Sequence, residues 1–244
     1  MDWATPDRLV VTLDRPEVRN AINAEMVESL HSVCGQLERR PRTLILTGGT
    51  RTFAAGADIG QLRERRREDA LAGINSGLFD RIARLPMPTI AAISGSAIGG
   101  GAELAYACDF RIGTPTTIFG NPEGQLGILA AAGASWRLAE LVGESLAKEV
   151  LLAGRMLDAA DALAARLLNE LVAPELLIET SNAWVDRINK QAPLALRMTK
   201  LAMSAPRDAH PVIDNVAQAV LFETEEKSER MDAFLNRKSR KNDD

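Results

Sequence analysis

Thr89-Ile90-Ala91-Ala92-Ile93-Ser94-Gly95-Ser96-Ala97-Ile98-Gly99-Gly100-Gly101-Ala102-Glu103-Leu104-Ala105 is the stretch on which the reading of this chain turns. Pro86 and Pro88 precede a short uncharged run, Thr89 to Ile93, which reads as a strand buried on both faces. Three consecutive glycines then open a helix from Ala102 to about Ala107. A buried strand that passes through glycine into a helix is a building unit of α/β folds.

The flanking sequence repeats this alternation. Leu9 to Leu13 reads as a strand, followed by the turn Asp14-Arg15-Pro16. Asn23 is suited to cap a helix running to about Glu38, with Met26, Val27, Leu30, Cys34 and Leu37 on one apolar stripe. Thr43 to Thr47 is a second strand, ended by Gly48-Gly49. An Ala/Gly-rich loop, Arg51 to Ile59, leads to a charged helix expected from Gln61 to about Leu85. Short strands are expected at Cys108 to Ile112 and Thr117 to Phe119. Helical patterns dominate after Ser135, with a last short strand at Leu171 to Ala173. The chain therefore divides into a βα-rich core, residues 1–190, and a helical C-terminal part, residues 191–244, broken at Pro206 and Pro211. The class is α/β.

Composition excludes several functions. The 244 residues are 46% hydrophobic, enough for a large core, and carry a net charge of -4. No global basic field favours nucleic acid, so an anionic ligand has to be held by local groups. The cysteines, Cys34 and Cys108, are too few for a disulfide scaffold. The start, MDWATPDRL, lacks an apolar targeting core, and no run approaches the roughly 18 apolar residues of a membrane span. A cytoplasmic protein is expected. His31 and His210 lack partners at metal-ligand spacing, so no metal site is expected. Dinucleotide, P-loop and serine-nucleophile motifs are missing.

Two glycine-rich loops and two acids remain. Phe53-Ala54-Ala55-Gly56-Ala57-Asp58-Ile59 and Ile98 to Glu103 each follow a strand. Placed side by side, one N–H from each loop could grip a single oxygen, which is an oxyanion hole. Taken alone, each loop suits a tight turn or helix–strand packing. Glu103, in a helix first turn, and Glu123, in Phe119-Gly120-Asn121-Pro122-Glu123-Gly124, sit in apolar, glycine-rich surroundings. Burial raises a carboxyl's pKa and equips it for proton exchange near neutrality. A surface or capping role is the alternative for each.

The ordered set of segments resembles the enoyl-CoA hydratase/isomerase, or crotonase, superfamily. Asp14-Arg15-Pro16 through Asn20-Ala21-Ile22-Asn23, Leu46-Thr47-Gly48-Gly49, Phe53 to Ile59, Gly99 to Ala105 with Cys108-Asp109, and Phe119 to Glu123 with Leu126-Gly127 all match in order, from about residue 8 to 238. The resemblance implies a crotonase-like spiral of ββα turns with a helical C-terminal region, assembled as a homotrimer or dimer of trimers. It implies oxyanion donors at Ala57 and Gly100, and catalytic acids at Glu103 and Glu123. It implies acyl-CoA contacts at Ala55, Gly56, Asp58, Ile59, Gly99, Gly127 and Lys238. The expected reaction is hydration of a 2-enoyl-CoA thioester to a 3-hydroxyacyl-CoA, with no metal or redox cofactor. Double-bond isomerisation, or acyl-CoA binding without turnover, are the alternatives.

Three places depart from the family pattern. Gly60 replaces a lysine or similar polar residue, Asn121 replaces a glutamine beside Glu123, and Ala130-Ala131-Ala132-Gly133-Ala134 replaces Pro-Gly-Ala-Gly-Gly. Ala131, in place of glycine, is expected to restrict backbone approach near the reacting carbons. The basic clusters Arg63, Arg65, Arg66, Arg67 and Arg237, Lys238, Arg240, Lys241 read as solvated faces or as contacts for CoA phosphates.

Overall fold

Uncharged five-residue runs become the central strands of a parallel sheet. A computed structural model describes residues 5–242, with side chains to residue 236. The strands are β1 (Arg8–Thr12), β2 (Thr43–Thr47), β3 (Thr52–Ala54), β4 (Thr89–Ile93), β5 (Ser96–Ile98), β6 (Phe110–Gly113), β7 (Ile118–Gly120), β8 (Leu157–Asp158) and β9 (Glu170–Leu171). Among the described residues they form two sheets, ordered β1-β2-β4-β6-β9 and β3-β5-β7-β8. The first is parallel throughout, with Ile45 opposite Val10 and Ile90. Every residue of β2 and β4 is buried. The second is parallel except where β8 runs against β7.

Strand β2 passes through a short turn into β3, β4 into β5, and β6 into β7, so each passage moves the chain from one sheet to the other. Helices follow β3 and β5, completing the expected ββα turns. The short strands β3, β5 and β8 lie outside the apolar runs and were not expected as strands. Their pairing comes from register beside a longer neighbour rather than from their own composition.

The helix Ala24–Arg39 forms as expected: Asn23 Oδ1 accepts from Met26 N–H at 2.9 Å, and Met26, Val27, Leu30, Cys34 and Leu37 are buried, joined by Val33. The long charged helix does not form. Three helices replace it: Ile59–Glu64, Arg67–Ala72 and Ile74–Ala83. Arg65 and Arg66 are extended, and Gly73 takes a left-handed φ of 63° that ends one helix before the next begins. The segment after Gly133 opens as a π-turn, Ala134–Leu138, before the helix Ala139–Val142.

The chain separates into two units, Met1–Val185 and Asp186–Asp244. The first holds both sheets and a core that includes Phe53, Phe79 and Phe119. The second is helical, with Pro193–Met203, Val212–Phe222 and Glu225–Asn242. No helix among the described residues is long and apolar enough to cross a membrane.

Arg111 anchors the region around the Gly-led helix. It is 2% exposed, and its guanidinium donates to Leu167 O at 2.7 Å and Cys108 O at 2.6 Å, with longer bonds to Ala105 and Asp109 carbonyls. Burial lowers its pKa. The cation sits where the helix Gly100–Tyr106 ends and its carbonyls would lack partners.

Candidate active site

Both glycine-rich loops converge. Ile22 lies beside Ala57 in an isolated parallel bridge: Ile22 N–H donates to Gly56 O at 2.8 Å, and Asp58 N–H donates to Ile22 O at 3.0 Å. That pairing uses the groups on either side of Ala57 and leaves the Ala57 N–H without a backbone acceptor among the described residues. Gly100 opens the helix Gly100–Tyr106, so its N–H has no partner within the helix. The two donors are close: Ala57 N is 3.4 Å from the position that a Cβ on Gly100 would occupy.

Asn20 sets this approach from behind. It is 3% exposed, and its Nδ2 donates to the carbonyls of Gly48, Thr52 and Phe53 at 2.9 to 3.2 Å. Its Oδ1 accepts from Arg15 N–H at 2.9 Å. One amide therefore ties the N-terminal segment to both ends of the turn that leads into the first loop.

Glu103 sits in the first turn of the Gly-led helix and is 3% exposed. Its Oε1 accepts from the backbone N–H groups of Ala132 at 2.7 Å and Ala134 at 3.1 Å. Burial pushes its pKa up to about 7, against the pull of those two N–H donors; Glu123 adds to the rise and Arg137 opposes it. Glu123 lies in the single turn Pro122–Leu126 and is 9% exposed. Burial raises its pKa as well. Its Oε2 is buried with no hydrogen-bond partner. Gly99 makes room for this side chain: its φ is 54°, and a Cβ there would lie 3.0 Å from Glu123 Oε1.

A cavity of about 520 Å³ collects these groups, within the size range of small-molecule sites. Glu103, Glu123, Ala57 and Gly100 all line it, with Ala55, Gly56, Ile59 and Gly99 from the expected contact set. Asp58 does not line it. Its carboxylate caps the helix Ile59–Glu64 through Gln61 N–H at 3.3 Å and pairs with Arg15 at 3.3 Å. Those bonds hold its pKa below the usual range. Asp58 is thus a loop brace rather than a wall of the cavity. Gly127 does not line it either; it ends the Glu123 turn with a φ of 70°. Lys238 lies outside the residues described at side-chain level. Of the first basic cluster, Arg65 and Arg66 reach the cavity wall and Arg63 and Arg67 do not.

The departures acquire specific roles. Asn121 has several partners: Tyr106 Oη–H donates to Oδ1 at 3.1 Å, Nδ2 donates to Gly99 O at 3.5 Å, and its side chain also hydrogen-bonds Glu123, which opposes the rise that burial causes there. It joins the end of the Glu103 helix to the second loop. The alanine-rich run supplies the N–H pair that holds Glu103, a contact any residue's backbone could make, while Ala131 is exposed at the cavity wall. Sequence reading missed this clamp because it carries no side-chain signal.

Comparison with known proteins points to one family. Residues 8–242 match the family described as enoyl-CoA hydratase/isomerase. The short-chain-enoyl-CoA hydratase of Clostridium acetobutylicum is 35% identical over 238 residues, covering 94% of this chain and 91% of that protein. The crystal structure of an enoyl-CoA hydratase from Bacillus anthracis superposes with a TM-score of 0.90 at 31% identity, covering 97% and 95% of the two chains. An enoyl-CoA hydratase structure from Geobacillus kaustophilus gives 0.87 at 34% identity, covering 94% and 92%. With the match extending over nearly the whole chain, this protein belongs to the enoyl-CoA hydratase/isomerase family.

Proposed function

We propose that this chain is an enoyl-CoA hydratase, which adds water across the 2,3 double bond of an enoyl-CoA thioester to give a 3-hydroxyacyl-CoA. The observation that carries the reading is the presence of two buried carboxyls, Glu103 and Glu123, in one cavity with the N–H groups of Ala57 and Gly100. Attack of water at C3 sends negative charge onto the thioester oxygen. Two fixed N–H donors hold that charge more strongly than they hold the ground-state carbonyl.

The two acids divide the work by their surroundings. Glu103 has two N–H donors that favour its carboxylate, so it takes the proton from water. Glu123 has its Oε2 buried without a hydrogen-bond partner and its pKa raised by burial, so it can hold a proton and deliver it to C2. The net change is one hydroxyl at C3 and one hydrogen at C2. Nothing is oxidised or reduced overall, so the proposal assigns no metal or redox cofactor; coenzyme A enters with the substrate.

The proposal includes a homotrimer or dimer of trimers. In the helical unit, Val212, Val216, Val220, Phe222, Phe234 and Leu235 are all exposed, an apolar surface of the kind that marks interfaces. A cytoplasmic location is part of the same reading, in keeping with a chain of two cysteines of which Cys34 is a buried free thiol.

The test follows the ultraviolet absorbance of conjugated enoyl-CoA substrates from short to long acyl chains. Loss of absorbance with a 3-hydroxyacyl-CoA product supports the proposal and identifies the preferred tail. If absorbance holds for every substrate, the hydratase reading fails. A 3-enoyl-CoA then separates an isomerase from a protein that only binds.

A further inference from the structure

A buried side chain outside the motif residues organises the segment that holds Glu103. Arg137 is 9% exposed and lies in the π-turn Ala134–Leu138. Its backbone N–H donates to Gly133 O at 2.8 Å. Its guanidinium folds back over the same glycine, where a Cβ would collide with Arg137 Nη1. Gly133 is the residue between Ala132 and Ala134, the two that donate to Glu103 Oε1. The guanidinium therefore rests against the middle of the clamp.

The other side of Arg137 reaches a helix whose first turn helps to line the cavity. Nη2 donates to Asp80 Oδ1 at 3.2 Å. Asp80 belongs to the helix Ile74–Ala83, whose first residues, Ile74, Asn75 and Ser76, line the cavity. Nη1 is buried with no hydrogen-bond partner. An unmatched buried donor is costly, and packing alone does not require a charge there.

Resting on the hydratase reading, we propose that Arg137 is the positioning residue of Glu103. It braces Gly133 so that both N–H groups stay on Oε1, and it places a buried positive charge beside the carboxyl that must act as a base. The charged and titratable groups around the pair are few. Glu123 and Arg137 act on Glu103 in opposite senses, and Tyr106 lies nearby. Asp80, Glu140 and Glu103 face Arg137 as anions, and Arg84, paired with Asp80 at 2.9 Å, as a cation.

The test compares wild type, Arg137→Met, Arg137→Lys and Asp80→Asn. Two readouts are followed: the ¹³C titration of the Glu103 carboxyl, assigned by its loss in Glu103→Gln, and kcat against pH. Arg137→Met is expected to move the Glu103 midpoint up, since it removes an opposite charge that favours the carboxylate. Its kcat falls below the new midpoint while KM changes little. Arg137→Lys keeps the charge without the planar fork and restores most of the midpoint. Asp80→Asn, which removes a neutralising anion, moves it down. An unmoved midpoint in Arg137→Met, with only a lower melting temperature, overturns the proposal. Should that variant not fold, an unmoved or upward midpoint in Asp80→Asn does the same. The carboxyl titration needs no substrate, so it reads the Arg137–Glu103 relationship even if the chain hydrates no enoyl-CoA.

Discussion

Glu103 Oε1 accepts a 2.7 Å hydrogen bond from the backbone N–H of Ala132. The acid on the Gly-led helix is therefore held by a segment about thirty residues further along the chain. That bond and the matching one from Ala134 stabilise the carboxylate, while burial opposes it. The balance of the two leads to the first two predictions.

Glu103 has its pKa pushed up to about 7 and must be ionised to take a proton from water. The rate is therefore expected to fall as pH drops through about 7, with a limb set by this group. A pH profile of kcat measures it. A flat profile from pH 8 down to 5 would contradict the role of Glu103 as base.

The same shift has a stability consequence. Between the ordinary value of 4.5 and the folded value of about 7, the folded state binds more protons at Glu103 than the unfolded state does. Stability from this group is thus present at low pH and lost as pH rises through about 7. Glu103→Gln keeps an oxygen for both N–H donors and removes the buried charge. It is expected to be more stable than wild type at pH 8, by at most about 3 kcal/mol. The gap should close as pH falls toward 4.5. Denaturant unfolding at several pH values measures it, and a variant less stable at pH 8 would count against the burial argument.

Gly99 has a φ of 54° and a position from which a Cβ would press on Glu123 Oε1. Gly99→Ala is expected to lower kcat at least about tenfold, since a displaced acid misses its reaction geometry, with far-ultraviolet circular dichroism unchanged. Wild-type kcat in this variant would show that Glu123 does not depend on the space beside Gly99.

Arg111 donates to carbonyls around the end of the Glu103 helix. Arg111→Met strands those acceptors and is expected to cost about 2–4 kcal/mol of stability. The midpoint of chemical denaturation reads this directly. A loss within error of zero would mean that water replaces the guanidinium without penalty.

The legible parts of this fold were those with a long, regular signal. The helix Ala24–Arg39 carries a stripe and a capping asparagine, and β2 and β4 are uncharged runs buried along their length. Strands β3 and β5 are three residues each and lie in loop-like composition, so only their neighbours define them. The charged segment after Asp58 had helical composition throughout, but one left-handed glycine and an extended Arg65-Arg66 divide it into three. In the site, residues that act through side chains stood out by their apolar context, Glu103 and Glu123 above all. Asp58 shared the motif but serves its own loop. The Ala132 and Ala134 clamp was invisible because it is backbone, and its significance appears only when Glu103 is placed against it.

The most direct test of the central claim is the hydration rate of the preferred enoyl-CoA with Glu103→Gln, Glu123→Gln and the double variant. If the two acids work as one unit, each single variant loses about 10²- to 10⁴-fold in kcat, and the double variant loses little more than the weaker single. A single variant that keeps close to the wild-type rate would contradict the account.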